Sequence, residues 1–460
     1  LFSPSIKPSS YNYKVEAFTI SPLFPPPFSP SSSAVSHRPS RASNNLRRFS
    51  SVDENQAIDE EIAAITETEV PTPTVVRAPL KFIGPYPCLA LKFPNLATES
   101  QRSRNQTGIA LDFVLDTAAN INTVQGQVAQ ELNLAILEDS PALPGVSSSG
   151  PMAGGETYVL GDTELEQAVV VGNVIDDESG EQSVGGKTVG DEPFEFMQNL
   201  TAAALPVVNS GSAGLLGLAF FYCFEGGVEF RWGAPSTQPQ DSEPRLIDGM
   251  LVEPTLGDET SPSITFYGQD NDELQRSLAE LNRVSIDPIP LTQLPSVQIR
   301  INGVEMVALL DTGSPVTVLN DRAAAAASIQ TTKEIMEAPA DDKAKGGWNP
   351  FASVVDKFKE AQATAEAASR GDILMIGGID GKPTTLYKST GSGPNISLVG
   401  NSGEDLSLGS NSQVYVGDIP GLAALNGIGV DSPPAVVLGL DVLRQRPRMV
   451  FRPRENELFL

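Results

Sequence analysis

Histidine is nearly absent from this chain: His37 is the single one in 460 residues, and it falls in a Ser- and Pro-rich leader. With none elsewhere, a Ser-His-Asp triad, a Cys-His nucleophile pair and a histidine-ligated zinc centre are excluded from the remainder. Cysteine is also scarce. Cys88 and Cys223 are too few for a disulfide framework or a Cys-rich zinc site, and both sit in apolar runs that read as core. Basic residues are outnumbered, 31 Lys and Arg against 57 Asp and Glu, for a net charge of −26. Nucleic acid and anionic membrane surfaces are therefore not expected partners, and the charge itself reads as solubility. No run reaches the roughly 18 consecutive apolar residues of a membrane-spanning helix. The nearest, Ala213 to Phe224, reads as a buried strand pair or short helix. With histidine and cysteine chemistry removed, carboxylates are the natural resource for hydrolytic acid–base work; Lys and Tyr bases stay open but sit in no motif.

What is present is a duplication. The 40 Gly and 37 Pro imply many turns between short strands. Two segments stand out: Phe113-Val-Leu-Asp116-Thr117-Ala118-Ala119-Asn120 and Ala308-Leu-Leu-Asp311-Thr312-Gly313-Ser314-Pro315. Each is an apolar run, then Asp-Thr with a small residue, then a second apolar stretch, which places an acid on a tight turn between two buried strands. A strand-like segment precedes each, Tyr86 to Phe93 and Ser296 to Ile301, the second ending in Asn302-Gly303, a strong type I′ hairpin signal. A short helix is expected after each, over Val128 to Leu134 and Arg322 to Ser328. Downstream, Gly214-Leu-Leu-Gly217-Leu matches Val436-Val-Leu-Gly439-Leu, and each block precedes a further strand, Gly227 to Trp232 and Arg448 to Arg452. One Asp-Thr-Gly alone reads as a β-turn; two ordered correspondences read as two half-sites, each bringing one carboxylate to a shared centre.

These residues resemble the retropepsin-like branch of the aspartic proteases, most closely at Ala308–Leu319 and Val436–Leu443 and over about residues 76–460. The resemblance implies a mainly β, single-chain fold: two retropepsin/pepsin-like β-barrel lobes, residues 76–268 and 269–460, with an active-site cleft between them and a small helical insertion in the second lobe, where Ala352 to Arg370 has helical composition. It implies an aspartic-type endopeptidase in which Asp116 and Asp311 activate water. Thr117 and Thr312 would link the two loops, Gly313 would allow close backbone approach, and Ser314 would hydrogen-bond its own half's carboxylate. Tyr158, in the Gly-hinged segment 154–161, is the flap candidate, with Ile376 to Gly381 as its counterpart; an ordinary hairpin is the other reading of both. No metal or cofactor is needed, the expected partner is a peptide or protein substrate, and a monomer suffices because both half-sites lie on one chain. The chemistry supports the pairing independently, since two adjacent carboxylates share one proton and one of them is raised.

One residue departs from the pattern. Ala118 stands where the family has Gly; a Gly-only backbone there would displace Asp116, whereas a negative φ would leave its N–H free to donate. Two other readings stay open: a catalytically inactive, protease-like peptide-binding or scaffold protein, and an unrelated β-rich protein with accidental motifs. Residues 1–50 carry thirteen Ser and six Lys or Arg against one acid, Glu16, which resembles a plastid transit peptide, and 51–75 reads as linker. Asn105-Gln-Thr107, formally a glycosylation sequon, reads as a loop.

Overall fold

Pro295–Ile301 alternates buried Val297, Ile299 and Ile301 with half-buried Gln298 and Arg300, the two-residue period of a strand with one face in the core. Asn302 and Gly303 both take positive φ, 50° and 82°, and Ile301 pairs with Val304. The expected two-residue turn is therefore present, both central positions being left-handed. The return strand, Val304–Leu310, runs directly into Asp311. The first half repeats this with a longer connection: Tyr86–Phe93 pairs antiparallel with Ile109–Leu115, which runs into Asp116. Within that polar connection Thr98 and Gln101 form a reciprocal capping box around a short helix, Glu99–Arg102.

The structure, a computed structural model, describes residues 75–138, 145–147, 150–152, 155–175, 182–188, 194–204, 211–233, 245–247, 250–252, 261–290, 292–336, 366–377, 383–401, 403–410, 413–419 and 433–460. All of these belong to one compact unit. The leader and most of the helical insertion read from the sequence lie outside the described residues. Among the described residues no helix is long and apolar enough to cross a membrane.

The duplication extends to strand order. Gly214–Leu216 runs parallel to Ile109–Leu115, with Leu216 opposite Leu115, and antiparallel to Thr123–Val124. Ala435–Leu438 sits in the same way between Val304–Leu310 and Val318–Leu319, with Leu438 opposite Leu310. A further strand lies parallel to the one that follows each Asp: Phe194–Ala204 beside Thr123–Val124, and Tyr415–Val416 beside Val318–Leu319. The first set belongs to an eight-stranded sheet, the second to a ten-stranded one. Short helices follow, Gly126–Leu132 and Asp321–Ala326, the latter capped by Asn320 accepting from the Ala323 N–H.

A third sheet, eight-stranded, is shared. Gly227–Arg231 and Arg448–Arg452, which the sequence analysis assigned to separate halves, pair with each other, Val228 opposite Phe451 and Arg231 opposite Arg448. The order is near-symmetric outward from that pair: Ser263–Tyr267 then Val75–Pro79 on one side, Glu457–Phe459 then Arg283–Ser285 on the other. The fold is therefore mainly β, with the two halves tied by a common sheet over an aromatic core that includes Phe196, Phe220, Phe221, Phe266 and Phe451.

The shared sheet carries a buried charge. Glu229 has 0% exposure, and its Oε1 lies 2.6 Å from Arg231 Nε and 2.9 Å from Arg448 Nε. The hydroxyls of Tyr267 and Ser277 donate to Oε2 at 2.7 and 2.8 Å. Burial opposes ionisation of Glu229, but the two guanidiniums and the two hydroxyls outweigh it and hold the carboxyl below its ordinary 4.5. Because the folded value is depressed, the network's contribution to stability is present above pH 4.5 and is lost as pH falls through the folded value. Glu229→Gln takes the buried counter-charge from Arg231 and leaves Arg448 with only the exposed Glu280, 3.6 Å away, and should cost about 3 kcal/mol at pH 7. Denaturant titrations of both proteins at pH 7 and at pH 3 test this: the gap should narrow in acid.

Candidate active site

Asp116 and Asp311 each follow the last residue of a buried strand, and each is tied to the matching Gly-Leu block. The Asp116 N–H donates to Leu216 O at 2.9 Å, and the Asp311 N–H to Leu438 O at 3.1 Å. Past the block, Leu218 N–H donates to Ala119 O at 2.7 Å and Leu440 N–H to Ser314 O at 2.9 Å, so each acidic loop is held at both ends. The block glycine is needed for this approach: a Cβ on Gly217 would lie 2.5 Å from Ala119 O, and one on Gly439 2.4 Å from Val316 O. The glycine N–H groups are satisfied by side chains, Asn122 Oδ1 for Gly217 and Thr317 Oγ1 for Gly439, each at 3.1 Å.

The two loops are locked to each other. Thr117 N–H donates to Thr312 Oγ1 at 3.1 Å, and Thr312 N–H donates to Thr117 Oγ1 at 3.0 Å. Each hydroxyl passes its proton across the same junction, Thr117 Oγ1 to Leu310 O at 2.8 Å and Thr312 Oγ1 to Leu115 O at 2.7 Å. Both threonines have 0% exposure. A further tie crosses at the surface, where Asn120 Nδ2 donates to Thr292 O at 2.8 Å.

Above this lock the two carboxyls share a hydrogen bond. Asp116 Oδ1 accepts the Ala118 N–H at 2.8 Å, and Asp311 Oδ1 accepts the Gly313 N–H at 2.8 Å. The Ala119 and Ser314 N–H groups add a second donor to each. Both side chains keep partial solvent access, so water can reach them. The protein packed round them still opposes charge. Burial raises both above the ordinary 3.8, and Asp311 is raised further because the Asp116 charge adds to its desolvation. The two carboxyls therefore titrate as one unit, and the proton they keep belongs to the pair.

Ala118 fits. Its φ is not in the left-handed region, its N–H donates to Asp116, and its methyl packs on the second-half apolar cluster that includes Leu309 and Val437. Gly313 is the position that cannot carry a methyl, because a Cβ there would lie 2.5 Å from Asp116 Cγ. Ser314 bonds its own half's carboxylate through its N–H, while its hydroxyl donates to Val316 O at 2.8 Å. Tyr158, the flap candidate, lies in the strand Thr157–Leu165, and its hydroxyl donates to the exposed Glu156 Oε2 at 2.8 Å. The proposed second flap segment spans the connection of an antiparallel hairpin, Ile373–Gly377 with Pro383–Lys388, whose tip lies outside the described residues.

The tyrosine that senses both carboxyls is Tyr86, absent from the sequence-derived site. Burial raises its phenol, and the Asp311 and Asp116 charges raise it further. A signal existed: aligning the halves sets Tyr86-Pro87 against Leu294-Pro295.

No protein-family model matches the chain, and no curated protein matches it. Among solved structures it is similar to basic 7S globulin from soybean, at 12% identity and a TM-score of 0.37, over 84% of this chain and 94% of that one. It is similar at the same identity and TM-score to conglutin gamma, a basic 7S globulin from lupine seeds, over 84% and 95%. The expected membership in the retropepsin-like aspartic protease family is therefore corrected: no family model supports it, and the two solved structures named above are seed globulins. A TM-score of 0.37 assigns neither a family nor a function in its place. The retropepsin label lapses with the membership, and what the paired carboxyls do rests on their own geometry.

Two predictions follow from that geometry. Gly313→Ala should destabilise by about 1–3 kcal/mol, the usual cost of overpacking, while Ala118→Gly stays within about 1 kcal/mol, as read by thermal melts. The raised pair contributes stability that is present below pH 3.8 and is lost as pH rises through the folded values. Asp311→Asn should then melt above the parent protein at pH 7, and that advantage should vanish at pH 3.

Proposed function

We propose that the Asp116–Asp311 pair hydrolyses peptide bonds, as an endopeptidase in which two carboxyls share one proton. The observation that carries this reading is the shared hydrogen bond between two raised carboxyls, each held by backbone N–H groups on loops locked through Thr117 and Thr312. In this reading the two duplicated halves act as two lobes, and an extended peptide lies between them over the pair.

The chemistry balances without other groups. Ionised Asp116 takes a proton from water as its oxygen bonds to the scissile carbonyl carbon, while Asp311 gives its proton to the carbonyl oxygen. The resulting tetrahedral diol collapses as the carbonyl re-forms. One hydroxyl proton returns to Asp311, and the proton on Asp116 passes to the departing nitrogen as the C–N bond breaks. The binding-only alternative drew on Ala118 and on the looser first half; the Ala118 N–H donating to Asp116 weighs against the first of these.

The test is cleavage of an internally quenched peptide library across pH. Activity should peak in acid and fall once the pH is high enough to remove the shared proton, since the diprotonated and doubly ionised pairs both lack the acid–base combination. Asp116→Asn and Asp311→Asn should each lower turnover at least about 10³-fold, because each removes one member of a unit that acts jointly. Cleavage surviving either substitution sinks the reading.

A further inference from the structure

Tyr86 begins the strand that pairs with the Asp116 strand. The last registered pair is Cys88 opposite Val114, and continuing two residues sets Tyr86 opposite Asp116. Directly opposed residues of an antiparallel pair project from the same face, so the phenol and the Asp116 carboxyl lie on one side of the sheet. Its position is fixed from both directions: Ile83 pairs with Tyr86 across a two-residue turn in which Gly84 takes φ 59°, and buried Pro87 follows. The side chain is half-buried, and no hydrogen-bond partner for its hydroxyl is found among the described residues. The raised phenol stays a neutral donor at any pH where the pair holds its proton.

The second half breaks the symmetry here. Ser296 is opposite Leu309 and Pro295 follows in register toward Leu310, which sets Leu294 at the matching place opposite Asp311. Leu294 is half-buried and packs against the main core and the second-half apolar cluster, offering no polar atom beyond its backbone. One side of the carboxyl pair therefore carries a free hydroxyl on a rigid strand, and the other an aliphatic side chain.

We propose that Tyr86 is a substrate-positioning residue whose hydroxyl donates to a main-chain carbonyl of an extended peptide on the Asp116 side of the pair, with Leu294 as the apolar wall on the other. Because the two flanks differ, a bound peptide has one preferred chain direction. The assignment rests on the peptide-hydrolysis reading above and adds to it the residue that orients the chain.

The experiment is steady-state cleavage of one quenched peptide by the full chain and by Tyr86→Phe, with Asp311→Asn as the reference for the carboxyl pair. Tyr86→Phe keeps the ring and removes a hydroxyl with no protein partner, so its melting temperature should match the parent. The expected result is a KM raised about fivefold with kcat within about twofold, the scale of one neutral hydrogen bond made equally in ground and transition states. Unchanged KM, or a loss confined to kcat, overturns the role of Tyr86 while leaving the carboxyl pair standing. A parent protein whose cleavage is absent, or equals that of Asp311→Asn, overturns the carboxyl reading and the Tyr86 assignment with it.

Discussion

Thr117 and Thr312 exchange hydrogen bonds in both directions, and the position of both carboxyls depends on that exchange. Each hydroxyl accepts from the other loop's N–H and donates to the other strand's last carbonyl, Leu310 or Leu115. Three buried polar groups from each half thus satisfy one another through four hydrogen bonds. Such a junction tolerates little adjustment, because breaking one member strands a desolvated partner at about 1–3 kcal/mol. Asp116 and Asp311 are each one residue from these threonines, so the separation of the carboxyls is inherited from the lock. The side-chain cost of holding two acids together is met by backbone rigidity: the strands below are buried on both sides, and glycines 217 and 439 let the blocks press against the loops from outside.

Two electrostatic centres pull the stability of the molecule in opposite directions with pH. The Asp116–Asp311 pair prefers to hold a proton, so charging it as pH rises works against the folded state. Glu229 prefers to be charged, so acid works against the sheet that joins the halves. Its guanidinium partners come from both halves, Arg231 from the first and Arg448 from the second, with Tyr267 and Ser277 closing the shell. The junction is therefore weakest in the same acid range that favours a protonated pair. An acid-active form of this chain must draw its cohesion from the aromatic core and the shared ladder, which do not titrate.

How far the sequence revealed this depends on whether a signal was local. The Asp-Thr turns, the Gly-Leu blocks and the Asn302-Gly303 hairpin were legible because each expresses a short-range steric rule: a glycine where a carbonyl would strike Cβ, or two left-handed residues at a turn. The pairing of Gly227–Arg231 with Arg448–Arg452 was not, since strands over two hundred residues apart carry no mark of their partner, and every apolar-rich strand suits many neighbours. Glu229 likewise looks like a surface alternation until Arg448 is brought to it. Which atom of Ser314 serves the carboxylate was not legible either: the N–H does, while the hydroxyl turns to Val316 O. The family resemblance rested on the paired Asp-Thr segments and the two Gly-Leu blocks, short motifs that report a local conformation and not a lineage.

The halves share a backbone and differ in side chains, and the differences cluster around the carboxyls. Both acids receive two N–H donors from equivalent backbone positions. Equal donors alone would leave the proton equally shared. What distinguishes the acids is what touches them: Gly313 leaves space that the Asp116 carboxyl occupies, while Ala118 directs its methyl into an apolar cluster. Asn122 and Thr317 perform the same task on the block glycines, yet Thr317 donates onward to Asp441, whose carboxyl is itself raised by burial, whereas Asn122 donates to Thr201 O. Thr317 thus ties its block glycine to a carboxylate where Asn122 ties its own to a backbone carbonyl. A duplicated scaffold sets two acids side by side, and its diverged side chains change how each loop is held around them.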